Sequence, residues 1–511
     1  MTNEWLVSDT LLASAEADPG KTALIVGGES YDYAALVDRS LRLARGLQDL
    51  GLEPGGRVVI QLTNSLEAAV AIYATSLAGG VFVVVNAQTR PDKLAFLLDD
   101  SGAEFLITQE SLLGVFVAIG RELEALRQVV VAGDPERIPA SCVSLTQLSD
   151  ASEPAPERRG IPVDLAALIY TSGSTGNPKG VMMRHQSMVF TMQSLCRYLR
   201  LAADDRIAAF LPLAFDYGMY QLLMSVRLGA TLVLEQSFAF PMDVVRRVVD
   251  TEATVFPGVP TIYATLRGLL REKPDLQLPS VRRVTNTAAA LQPAILDDLR
   301  RIFPEALIFA MYGLTECKRV SYLEPELLAT HPSSVGRAIP GTEAIVLVDG
   351  RRAEPGETGV LHVRGPHVMV GYWNRPDLTA EMLRDGPTPG ERMLCTQDHF
   401  TTDEEGLLYF VGRSDDIIKS GGQKVAPAEV ENALLAVDGI TDAVVVGIPD
   451  ELLGEAILAY VVPAPGVELV EREVLKACRS RLEPLLVPKR IEVVDELPKT
   501  DSGKVRRKDL R

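Results

Sequence analysis

Apolar and polar positions along the chain change rhythm in a regular way. Up to about residue 410, short β-rich runs alternate with helical patterns: "GRVVIQL" is followed by "SLEAAVAIYATSLAGG", "VFVVVNA" by "RPDKLAFLLDDSG", and then comes "EFLIT". A second round supplies "RIAAFLPL", "TLVLEQ", "ATVFPGV", "RRVTNTAA" and "LIFAMYG" as strands between helices. Strand and helix in alternation predict parallel sheets covered by helices. The two rounds share architecture, without a repeat of fixed period. Between about 340 and 410 the pattern turns to short strands with turn signals, "AIVLVDGRRAEPGETGVLHVRG" and "TTDEEGLLYFVGR", which predicts an antiparallel β-unit. After "VGRSDD" follow a helix ("APAEVENALLAV"), two strands ("ITDAVVVGIP", "EAILAYVVPA"), a helix ("VEREVLKACRSRL") and a strand ("RIEVVDEL"). The expected fold is α/β: a large N-terminal domain (1–413) of two parallel αβ-layered sheets plus a small antiparallel β-unit, then a small, mobile α+β C-terminal domain (414–511).

Composition narrows the function classes. The 511 residues are 47% hydrophobic and 23% charged, within the ordinary globular range, and a length prior of about 150 residues per domain suggests two to four domains or subdomains. Sixty-eight acidic against 51 basic side chains give a net charge of −17, which argues against general binding to nucleic acid or anionic membranes. Cys142, Cys196, Cys317, Cys395 and Cys478 are scattered without CxxC spacing, so neither a zinc site nor a disulfide framework is indicated, and a reducing cytoplasm fits. With no apolar stretch of roughly 18 residues and no secretory-type start, the chain reads as soluble and intracellular.

The stretch "TSGSTGNPKG", residues 171–180, follows the apolar run "LAALIY". Its glycines let successive backbone N–H groups converge, its hydroxyls add donors and Lys179 adds charge, which together make a nest for phosphate. It is not a Walker A loop, since Pro178-Lys179-Gly180 stands where that pattern needs Gly-Lys-Ser/Thr. On loop statistics alone, a surface loop is an equal reading.

The surrounding motifs shift that balance. "YTSGSTGNPKGVMMRH" resembles the phosphate loop of the adenylate-forming superfamily, which includes acyl-CoA synthetases, adenylation domains of nonribosomal peptide synthetases and beetle luciferases. Further motifs follow in the family's order: "MYGLTE" (311–316), "GYWNRPDLTAE" (371–381), "TQD" (396–398), "GRSDDIIKSGGQKVAPAEVE" (412–431) and "PKTDSGK" (498–504). The resemblance implies ATP and Mg²⁺ as cofactors, with a carboxylate joined to the α-phosphate and then passed to a thiol. It sets Thr171, Ser172, Gly173, Ser174, Thr175, Gly176 and Lys179 on the phosphates and Glu316 on the metal, with Thr315 bonded to a phosphate oxygen. Ala288, Ala289 and Tyr312 would line the adenine pocket, where "TAAAL" (287–291) replaces the commoner "GGAPL". Asp398 would hold the ribose hydroxyls with Arg413 assisting, although Gln397 stands where the family usually has glycine. Lys504 would bridge carboxylate and α-phosphate, Asp415 would be the hinge of a domain swing, and Lys419, Gly421 and Gly422 would face the incoming thiol.

The acyl pocket is expected beside "LPLAFDYGMYQLL" (211–223), with Phe215, Asp216, Thr287, Gly313, Lys318 and Arg319 as substrate-binding candidates. Phe215-Asp216 aligns with the position where amino-acid activators carry an aspartate for the substrate ammonium. A buried carboxylate needs a cation, which favours an amino acid; a helix-capping aspartate is the alternative. Lys318 and Arg319 suit a second substrate carboxylate or a phosphate, or are ordinary solvated or salt-bridged residues. Together "FDYG" and "TECKR" resemble freestanding enzymes that activate β-amino acids for polyketide macrolactam pathways. The expected function is therefore activation of an amino acid as its adenylate and transfer to the phosphopantetheine thiol of a separate carrier protein. The alternative is an acyl- or aryl-CoA synthetase.

Overall fold

In the computed structural model, residues 4–171, 178–287, 293–413, 416, 418–420, 423–425, 427–450, 454–479, 481–482, 486–499 and 505–510 are described. Both expected strand-and-helix rounds form. In the first sheet, Arg57–Gln61 lies between Val81–Val84 and Phe105–Gln109, all parallel, and Val81–Val84 also pairs parallel with Leu165–Thr171. Alternation along Arg57–Gln61 explains its unbroken apolar run: Val58 and Ile60 enter the main core while Val59 enters a second core on the opposite face. In the second sheet, Arg206–Ala209, Val255–Gly258, Arg283–Asn286 and Leu307–Tyr312 are parallel neighbours in that order.

One hydrophobic cluster joins residues of both sheets to two helices buried along nearly their whole length, Leu66–Leu77 and Asp216–Arg227. The first of these helices starts at Ser65, whose hydroxyl accepts from the Ala68 amide. Just before it, the Asn64 side chain donates to the Leu211 and Glu235 carbonyls, at 3.0 and 2.9 Å, and accepts from the Leu213 amide. This tie fixes the 211–215 loop that leads to Asp216.

The antiparallel unit between 340 and 410 forms, with Gly359–Arg364 between Glu343–Val348 and Arg392–Thr402. It is not a separate layer. Strands Ser321–Tyr322 and Ser334–Ala338 carry hydrogen bonding from Leu307–Tyr312 across to Leu408–Arg413, so the parallel strands and the β-unit make one sheet. The N-terminal strand Thr22–Val26 also joins this sheet, parallel to Thr231–Leu234. The smaller C-terminal domain has its own core, in which Ile440–Asp450 pairs with Gly454–Pro463 and helices Pro427–Leu435 and Glu471–Arg479 pack against them. Among the described residues no helix is long and apolar enough to cross a membrane.

Candidate functional site

The site lies at the C-terminal ends of the parallel strands, where open α/β sheets bind their ligands. Thr171 and Lys179 pair across Leu165–Thr171 and Lys179–Arg184, so the loop between them leaves and re-enters one hairpin. Residues Ser172, Gly173, Ser174, Thr175 and Gly176 lie outside the described residues. The hairpin's base is clamped: Tyr170 donates to Asp100 Oδ2 at 2.7 Å, Arg375 bonds Asp100 Oδ1 at 2.8 Å, and the Trp373 indole donates to the Asp100 carbonyl at 2.9 Å. Sequence motifs alone did not point to Asp100, which belongs to none of them.

Glu316 follows Leu307–Tyr312 in a half-buried loop that also carries Thr315. The Tyr372 hydroxyl donates to Glu316 Oε1 at 2.6 Å, and the Glu316 carbonyl accepts from the Met369 amide at 2.8 Å. The Lys179 ammonium stands 5.3 Å from the centre of the Tyr372 ring. Gly371–Tyr372 pairs with Met182 and Val181 of the hairpin, which brings these groups together. One ring thus touches the loop lysine and the acid. The "GYWN" motif marked this segment without singling out Tyr372. A single oriented carboxylate suits Mg²⁺, which binds through one or two carboxylates together with substrate phosphates.

A second cluster forms where Leu307–Tyr312 nears Arg392–Thr402. Asp398 is buried; the Tyr312 hydroxyl donates to its Oδ2, and Arg413 Nε donates to its Oδ1 at 3.1 Å. Burial pushes the Tyr312 phenol well up, with Asp398 adding to the effect. Tyr312 packs edge-on to Phe400, with ring centres 4.8 Å apart. Gln397 adopts φ +60°, the left-handed region, which accounts for a usual glycine there and costs a side-chain-bearing residue about 1 kcal/mol. Ala288 and Ala289 lie outside the described residues.

The acyl-pocket candidates converge from three elements. Phe215 caps Asp216–Arg227 without a side-chain bond, and Asp216 is the helix's first residue. The capping role weighed for Asp216 is thus not the one seen. Its Oδ2 lies 3.5 Å from Lys318 Nζ, with 11% and 3% of the two side chains exposed. The cation that a buried Asp216 needs is therefore Lys318, and the charge argument for a substrate ammonium is met within the chain. Lys318 also stands 4.7 Å from the ring centre of Tyr220 and 5.3 Å from that of Tyr217. Burial pushes its amine down to about 7, outweighing the opposing pull of Asp216. Arg319 is buried, donates from Nη1 to Thr287 Oγ1 at 2.5 Å, and leaves Nε without a partner. Both cations are buried rather than solvated, and Lys318 is salt-bridged to Asp216, as one of the alternatives held.

Two glycines here serve close approach. A Cβ at Gly313 would sit 2.5 Å from the Lys318 carbonyl oxygen, and one at Gly218 of "FDYG" 2.3 Å from that of Pro212. Gly313 thus permits the fold-back of the loop that carries Lys318.

In the C-terminal domain, Asp415, Gly421, Gly422 and Lys504 lie outside the described residues, as does the Lys419 side chain. Lys499 and Val505 form an antiparallel bridge flanking residues 500–504. Arg507 bonds Asp416 Oδ2 at 3.2 Å and Glu431 Oε1 at 2.5 Å.

Comparison with known proteins agrees with this arrangement. Residues 11–373 match the family described as AMP-binding enzyme, and residues 429–504 match the AMP-binding enzyme C-terminal domain. The chain is 35% identical over 507 residues to a feruloyl-CoA synthase of an Amycolatopsis species, covering 97% of this chain and 96% of that protein. It is 30% identical over 497 residues to tyrocidine synthase 3 of Brevibacillus parabrevis, covering 96% of this chain and 7% of that protein. Among solved structures it resembles the o-succinylbenzoate coenzyme A synthetase of Bacillus subtilis in complex with ATP and magnesium ion, with a TM-score of 0.82 and 29% identity over 98% of each chain. The chain belongs to the AMP-binding enzyme family and is an ATP- and magnesium-dependent, AMP-forming carboxylate ligase.

Proposed function

We propose that this ligase converts a carboxylic acid without an amino group to its acyl-adenylate and then to a thioester of coenzyme A. The observation that carries this reading over amino-acid activation is the Asp216–Lys318 pair: the pocket's one acidic candidate already has a cation 3.5 Å away. Its wide similarity to CoA ligases supports the choice of thiol.

In the proposed mechanism the 171–180 loop and Lys179 hold the phosphates, and Tyr372 orients Glu316, which would hold the metal. Bound Mg²⁺ supplies charge neutralisation on the phosphates. Asp398, oriented by Tyr312 and Arg413, takes the ribose hydroxyls. The acid's carboxylate oxygen attacks the α-phosphorus, the bond to the leaving pyrophosphate breaks, and Lys504 offsets the charge gathering between the two anions. A turn of the C-terminal domain about Asp415 then brings the segment with Lys419, Gly421 and Gly422 to the site. The thiol attacks the acyl carbon there, forming the thioester and releasing AMP.

A second reading is loading of an amino acid, α or β, onto a carrier protein. It is favoured by the presence of a carboxylate, Asp216, at this position and by the similarity to tyrocidine synthase 3. Pyrophosphate exchange over a panel of acids and amino acids, followed by thioester formation with free CoA or with a phosphopantetheinylated carrier, separates the two. Robust exchange with amino acids alone sinks the first reading.

A further inference from the structure

Building on the ligase reading, the arrangement of buried charge indicates the substrate class. Three ionisable side chains meet at the acyl pocket: Asp216 from the first turn of its helix, and Lys318 and Arg319 from the loop after Leu307–Tyr312. Lys318 has Asp216 as its counter-charge. For Arg319 the bonds found are of another kind. Its Nη1 meets the neutral Thr287 hydroxyl, its guanidinium carbon lies 5.6 Å from the Tyr217 ring centre, and Nε is orphaned. No carboxylate lies within 4 Å of it among the described residues. Two buried cations against one acid leave a surplus positive charge, and an isolated buried charge is costly unless an opposite charge joins it.

The backbone shows that this placement is held rather than incidental. Lys318 sits at φ +61°, a left-handed conformation in which a side-chain-bearing residue is strained. The Lys318 carbonyl packs where a Cβ on residue 313 would stand, and the Arg319 amide bonds the Cys317 carbonyl at 2.7 Å. This tight loop turns both cations inward. Tyr217, whose ring faces both, is fixed by its hydroxyl's bond to the Thr285 carbonyl at 2.9 Å. Thr287, the Arg319 partner, opens the 287–291 stretch, which by the family resemblance would lie against adenine. Burial, with the neighbouring Arg319 adding to it, pushes the Lys318 amine down despite Asp216.

We infer that the acid activated here carries a second carboxylate, which docks on the Arg319 guanidinium with Lys318 beside it while the first carboxylate reacts at the α-phosphate. A guanidinium suits this task because its planar N–H groups match both oxygens of a carboxylate.

The test is pyrophosphate exchange with malonate, succinate and glutarate, each against its monoamide, and with aspartate and asparagine. The inference predicts that the best diacid exceeds its monoamide by about 100-fold in kcat/KM, the factor for one charged hydrogen-bonded contact. Arg319→Met narrows that ratio to a few-fold. Lys318→Met serves as a second variant, and the wild-type ratio decides the matter should both fail to fold. Aspartate exceeding succinate, with asparagine poor, upholds the second-carboxylate site and returns Asp216 to an ammonium. Monoamides or simple monocarboxylic acids matching the diacids overturn the inference, as does an Arg319→Met that lowers diacid and monoamide by one factor. Exchange with no acid at all, in protein that binds ATP, overturns the ligase reading itself.

Discussion

Replacing Asp216 by asparagine keeps the side chain's shape and removes the charge facing Lys318, so it measures what the pair contributes. Breaking a buried ion pair usually costs about 3–5 kcal/mol, because the surviving charge is stranded. Lys318 has an escape: with its amine at about 7, it can shed its proton instead. The proton-linked cost of the substitution is then RT ln(1 + 10^(7 − pH)), provided the variant's lysine stays neutral. That is about 0.4 kcal/mol at pH 7, about 1.4 at pH 6 and about 2.7 at pH 5. The sign follows from the depressed value. The folded lysine titrates below its ordinary 10.5, so the unfolded chain holds more protons between about 7 and 10.5, and this group's contribution to stability rises with pH across that window. In Asp216→Asn the folded value falls further, so the variant's deficit opens on the acid side of pH 7 and nearly closes at pH 8. Urea unfolding of wild type and variant at pH 8, 7, 6 and 5.5 reads this difference. A loss of 3 kcal/mol or more at pH 8, unchanged on acidification, refutes the reasoning by showing that Lys318 stays charged without its partner.

Tyr372→Phe deletes the hydroxyl that orients Glu316 but leaves the ring beside Lys179; a hydrogen bond to a charged acceptor is worth about 1.5–3 kcal/mol. The Mg²⁺ concentration for half-maximal exchange is expected to rise about ten-fold, with the KM for the acid little changed; an unchanged Mg²⁺ requirement removes Tyr372 from the metal site. Lys504→Ala is expected to lower adenylate formation by orders of magnitude while ATP binding, followed by calorimetry, stays near wild type; near-normal exchange shows that another group neutralises the reacting anions. Asp415→Pro locks the proposed hinge, so exchange persists and thioester formation is lost; equal loss of both half-reactions contradicts a hinge there.

Much of the architecture was legible because each strand-and-helix round is a local pattern. The all-apolar "VVI" of 58–60 predicted a strand covered on both faces, and its alternate residues do enter two cores. Pairing between distant segments has no local signal, so the chain pattern showed neither Thr22–Val26 joining the second sheet nor the fusion of that sheet with the β-unit. Motifs marked the 171–180 hairpin, Glu316 and Asp398 as candidates, since backbone nests and metal acids need particular residues at fixed spacings. Asp100 escaped because an aspartate within "LLDDSG" looks like any helix-end acid; its role comes from Tyr170, Trp373 and Arg375 folding onto it. In the sequence Asp216 lacks a visible cation because its partner, Lys318, lies 102 positions along the chain, and burial of that lysine cannot be inferred from "TECKR".

The most direct test of the central claim is a single incubation of the purified protein with ATP, Mg²⁺, succinate and free CoA, with AMP, pyrophosphate and thioester quantified together. Equal amounts of the three products, with pyrophosphate exchange in the absence of CoA, are the expected result, and asparagine or a simple fatty acid in place of succinate should give far less. Release of ADP and phosphate, or AMP formation that responds only to amino acids and never yields a CoA thioester, contradicts it.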